Sequence, residues 1–195
     1  IHFTGGFFHM VLLSFFLSSQ TDMRIHILKA KENFPGGIHM NRTAAAYVSG
    51  GPLRPQIRGM VWFHDTLGGT IVTAQISGLP DYMPGGAGES PIGPHGFHIH
   101  VNGTCETGNP EDPFQAAGPH WNPDGQPHGN HAGDFPVLFS NNGRACMSFF
   151  TNKFRVEEVV GKAVIIHENP DDYRSQPAGN AGRRLACGVI EWTWV

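Results

Sequence analysis

Charge is scarce in this chain. Only 15% of its 195 residues are Asp, Glu, Lys or Arg, and the formal net charge is −3. No run of Lys or Arg occurs, which excludes the basic stripe by which proteins grip a nucleic-acid backbone. Long apolar runs are missing too, and no stretch reaches the length needed to cross a bilayer. Neither a nucleic-acid nor a membrane partner is expected. Cysteine is rare: Cys105, Cys146 and Cys187 leave one odd thiol if a disulfide forms. Cys146 lies in the apolar run ACMSFF and reads as a buried, inert thiol.

Convincing amphipathic helices are also absent, and short apolar runs bounded by turn residues stand in their place. Hydrophobic residues make up 39% of the chain, enough for a packed core, while Gly 26 and Pro 15 fall between the runs without a period. Strands are expected at 44–48, 57–64, 70–76, 95–101, 136–140, 144–151, 163–167 and 185–192, with Leu67-Gly68-Gly69 and Asn141-Asn142-Gly143 as turns. A long Pro/Gly-rich loop, 79–94, precedes the fourth. The fold class is therefore all-β: an eight-stranded Greek-key sandwich or flattened barrel, Ig-like, with long metal-binding loops.

The beginning of the chain reads differently. Residues 1–43 carry one short apolar stretch, Met10 to Leu17, without a basic segment before it or a small-residue cleavage site close after it. They are expected to form an extension outside the fold, with the working domain at 44–195.

Between Gly96 and Asp134 the chain sets five histidines and an aspartate in order: GFHIHVNG, AAGPHWNP, QPHGNHAGD. His98 and His100 are two apart on an expected strand, on one face and about 7 Å from each other along it. His120 is flanked by Gly118-Pro119 and Asn122-Pro123. His128, His131 and Asp134 follow in a loop with no hydrophobic reason to hold such donors, and His167 comes later in VIIHENPDD. Three imidazoles and a carboxylate (His120, His128, His131, Asp134) suit a closed zinc site. The imidazole-only set His98, His100, His120 and His167 suits copper. The count works only if His120 serves both ions. Asp171 is expected to orient ligand imidazoles from behind. His95 reads as a structural histidine bonded to backbone.

These motifs, with GNAGRRLACGVI near the end, closely resemble the copper/zinc superoxide dismutase family over about residues 44–192. The resemblance implies dismutation of superoxide to oxygen and hydrogen peroxide by a redox-cycling copper, bridged through His120 to a structural zinc. The catalytic residues it implies are His98, His100, His120, His167 and Arg184, the last attracting and orienting the superoxide anion. It also implies an intrasubunit disulfide between Cys105 and Cys187. A homodimer stays open. The alternative is a non-catalytic copper- and zinc-binding protein on the same fold, a buffer or delivery domain. The segment 168–181 departs from the family in being short and poor in acidic residues and lysine, so a reduced charged steering loop is expected. The cysteine pair leans towards an extracytoplasmic compartment, whereas the first residues do not read as a signal peptide.

Overall fold

Period-two alternation of apolar residues drives the strands, and burial follows it closely. A computed structural model describes residues 42–193. Among them seven strands form: β1 (Thr43–Gly50), β2 (Arg58–Thr66), β3 (Gly69–Ser77), β4 (Phe97–His100), β5 (Arg144–Thr151), β6 (Ala163–His167) and β7 (Arg184–Trp192). The helical content is one 3-10 turn, Gln115–Ala117, and one short helix, α1 (Val156–Val159). The extension expected at 1–43 lies almost wholly outside the described residues; β1 begins at Thr43.

The strands pair antiparallel in one curled sheet of order β4-β6-β7-β1-β2-β3-β5. On β2 and β3 the inward residues Val61, Phe63, Val72, Ala74 and Ile76 are buried while their neighbours reach solvent. β4 and β6 differ, being buried along their whole length. One face of β4 gives Phe97 and Ile99 to the core. The other face gives His98 and His100 to a space roofed by long loops, and this places the site.

The eighth strand expected at 136–140 does not form. That segment has one isolated bridge, Leu138 to His95 just before β4, and the turn after it a second, Asn141 to Arg144 at the start of β5. The reason is a shortage of ladder donors: Pro136 has no N–H, and the Val137 N–H is taken by the Tyr173 hydroxyl at 2.8 Å. These bridges still carry the chain from the β4 edge to the β5 edge, which keeps the flattened-barrel form.

A second expectation also fails, because Cys146 is exposed. On β5 the inward phase belongs to Ala145, Met147 and Phe149, so pleating turns Cys146 outwards. An apolar neighbourhood in sequence says nothing about phase.

Candidate metal centre

β4 presents His98 and His100, and β6 ends in His167, antiparallel to β4. His120 is brought to β4 by a bridge to His100, and Asp134 by a bridge to His98. The loop between them contributes His128 and His131. The result is two donor groups, His98–His100–His120–His167 and His120–His128–His131–Asp134. In each, the ligating atoms lie within 4.8 Å of one another, and His120 belongs to both.

Hydrogen bonds decide which ring nitrogen is free. A carbonyl or carboxylate oxygen only accepts, so the nitrogen facing it carries the hydrogen and the other is a bare lone pair. His98 and His128 donate through Nε2 to the two oxygens of Asp171, at 2.6 and 2.9 Å. Their Nδ1 atoms are left buried and without a hydrogen-bond partner. His100 donates through Nδ1 to the Gly118 carbonyl at 2.8 Å, and His167 through Nδ1 to the Gly182 carbonyl at 3.2 Å. Their Nε2 atoms then face each other at 3.3 Å. With both Nδ1 atoms protonated, that approach is two lone pairs converging, an arrangement that calls for a cation between them. His120 sets Nδ1 3.0 Å from Asp134 Oδ1 and leaves Nε2 buried and unpartnered. His131 Nδ1 is likewise unpartnered, 3.3 Å from the same oxygen. Orphaned buried acceptors cost free energy unless something electrophilic completes them. The donor set therefore fits two metal ions, one held by imidazoles alone and one by imidazoles and a carboxylate.

Electrostatics keeps these donors in the ligating state. Burial, then the neighbouring imidazoles, push His98 and His100 well below the ordinary imidazole value. Burial and the charge of His120 hold His167 down to about 3. For Asp134, burial pushes upwards, but the His120 hydrogen bond and the surrounding imidazoles outweigh it and hold the carboxyl at about 2. Its Oδ2 also accepts the main-chain N–H groups of Gly129 and His131, which orients the carboxylate.

A family model described as copper/zinc superoxide dismutase matches residues 57–190. The chain belongs to the copper/zinc superoxide dismutase family. Similar proteins include the Cu-Zn superoxide dismutase of Deinococcus radiodurans, 34% identical over 70% of this chain and 78% of the relative. That of Legionella pneumophila is 35% identical over 76% of this chain and 86% of its own length. A second Cu-Zn enzyme of Aquifex aeolicus is 33% identical, over 69% and 80%.

The other residues singled out by resemblance to this dismutase family are found close by. Arg184 opens β7 and donates to the Phe114 carbonyl at 2.6 Å and the Gly118 carbonyl at 2.7 Å. Gly118 is the acceptor of His100 as well, so guanidinium and histidine are tied to one oxygen. Burial lowers Arg184 from its ordinary value, and it stays a cation. Its neighbour Arg183 is committed elsewhere, in a two-pronged pair with Glu168 at 2.9 Å. Cys105 and Cys187 form a disulfide. His95 is buried, with Nδ1 on the His167 carbonyl at 2.9 Å.

Five contributors to the site carry no signal of their role in the sequence. The carbonyls of Gly118 and Gly182 set ring tautomers, and a backbone oxygen leaves no trace in residue type. Lys153, two residues past the end of β5, donates to the His131 carbonyl at 3.1 Å from 22 residues away. Tyr173 and Gln176 reach back to the 128–137 segment. Only the run of short and polar residues around them marked that segment as a loop.

Proposed function

We propose that this chain dismutates superoxide to oxygen and hydrogen peroxide, with copper on His98, His100, His120 and His167 and zinc on His120, His128, His131 and Asp134. The observation that carries the reading is the pair of buried donor groups sharing one imidazole, with their bare nitrogens converging. When bound, copper supplies one-electron redox chemistry and zinc a fixed Lewis-acidic charge.

The chain's own residues do the rest. Asp171 holds His98 and His128 through opposite oxygens, so the two groups are oriented by one carboxylate. Arg184 supplies a cation whose position two carbonyls fix before any anion arrives. Such local focusing draws a small anion into a chain of net charge −3. His120 turns Nδ1 to the Asp134 group and Nε2 to the imidazole-only group, so one fixed ring serves both, and Nε2 can hold a proton whenever it is not ligating. The buried imidazoles around it keep bulk water from competing for that proton. In this reading the functional unit is the domain 44–195.

The test is superoxide consumption by protein loaded with both metals, followed beside the same amount of free copper. Removal well above the free ion is expected. Removal no faster than the free ion would leave a protein that only stores or delivers metal.

A further inference from the structure

His128 is held unusually on its main chain. It stands between Pro127 and Gly129, outside any strand or helix. Among the described residues its N–H and C=O find no backbone partner; both are met by one side chain, Gln176. The His128 N–H donates to Gln176 Oε1 at 2.8 Å, and Gln176 Nε2 donates to the His128 carbonyl at 3.3 Å. A primary amide can satisfy a peptide's donor and acceptor together, and this pairing admits only one amide orientation.

The same loop grips a second point. The Tyr173 hydroxyl accepts the Val137 N–H at 2.8 Å and donates to the Phe135 carbonyl at 3.2 Å, fastening the loop just after Asp134. The Tyr173 N–H donates to Asp171 Oδ1 at 2.7 Å, the oxygen that also takes the His128 ring. Gly179 closes over that ring contact with φ +65, and a Cβ there would collide with Asp171 and His128. One loop thus holds His128 at its N–H, its C=O and its ring Nε2, and it anchors itself beside Asp134.

We propose that Gln176 and Tyr173 are positioning residues for the zinc-side group: they clamp the Asp171 loop onto the 128–137 segment and so fix the direction of His128 Nδ1. This rests on the assignment of zinc to His120, His128, His131 and Asp134. Gln176 meets only the main chain of His128, and the Tyr173 hydroxyl only the chain just beyond Asp134, so the clamp bears chiefly on the zinc-side group; its link to the copper side is indirect, through the Asp171 carboxylate that also holds His98. Carboxylates and amides behind a ligating histidine typically change metal retention by about 10- to 100-fold when removed. A clamp acting through the main chain belongs at the lower end of that range.

The experiment uses the full chain loaded with both metals and the isosteric variants Gln176→Met and Tyr173→Phe. Release of each metal into excess chromogenic chelator is timed by absorbance, and the visible copper band is recorded alongside. Zinc release is expected to quicken about tenfold in Gln176→Met and by a smaller factor in Tyr173→Phe. Copper release is expected to stay within about twofold of the parent. Zinc release within about twofold of the parent in both variants overturns the clamp. So does an equal acceleration of zinc and copper, which is the mark of general loosening. If Gln176→Met does not fold, Tyr173→Phe carries the same comparison. A parent chain that retains no zinc sinks the underlying metal assignment, and the clamp with it.

Discussion

Asp171 takes the His98 imidazole on one carboxylate oxygen at 2.6 Å, the shortest contact either makes at the site. The other oxygen holds His128 at 2.9 Å. One fully buried carboxylate therefore orients a ring in each donor group.

Asp171→Asn breaks that symmetry. An amide offers one acceptor oxygen, and its NH2 meets the second ring's N–H head-on unless that ring changes tautomer. Zinc affinity is expected to fall about 10- to 100-fold, with a changed copper environment. Competition with a chelator measures the first, and the copper EPR spectrum the second. Unaltered affinity and spectrum would refute the orienting role.

Arg184→Ala removes the fixed cation without touching a donor nitrogen. Superoxide turnover at low ionic strength is expected to drop about tenfold, and its dependence on salt to flatten. Inhibition by small anions should weaken in parallel. Metal content per chain should be unchanged, which separates lost guidance from lost sites.

Cys105 and Cys187 are separated by 82 residues. By loop-closure entropy, removing the crosslink is expected to lower unfolding free energy by about 4–5 kcal/mol. Urea unfolding of metal-free Cys105→Ser against the metal-free parent checks this. A loss below about 1 kcal/mol would mean that the unfolded chain is already compact.

Asp172 braces the 171–180 loop, accepting the Ser175 hydroxyl and the N–H groups of Ser175 and Arg174. These bonds, Ser175 foremost, lower its carboxyl to about 2. A carboxyl depressed on folding stabilises above its unfolded value, about 3.9, and that contribution is lost as pH falls through the folded one. The brace should accordingly persist at pH 5 and fail between about pH 4 and pH 2. Carboxyl chemical shifts across an acid titration follow it directly. A midpoint at the ordinary aspartate value would show that the bonds do not hold in solution.

Much of this was legible in the chain itself. The donors' identities, the i and i+2 phase of His98 and His100, and the turn residues around His120 follow from residue type and strand period alone. Strand existence was equally plain wherever apolar residues alternated, as on β2 and β3. Two readings failed for the same reason, that local composition does not reveal partners. The 136–140 run had a strand's composition, yet Tyr173 took its free donor from 36 residues away. The ACMSFF run is apolar overall, yet register set Ala145 inwards and Cys146 outwards.

The sequence by itself determined which chemistry this protein can carry, because imidazole, carboxylate and guanidinium are properties of residues. Tertiary structure alone decided how that chemistry is aimed. Which nitrogen of each histidine is bare depends on an acceptor brought from elsewhere: Asp171 for His98 and His128, Gly118 for His100, Gly182 for His167. Those partners lie up to 73 residues apart. A ring's free lone pair is set by what faces its other side, and only folding brings that group into place.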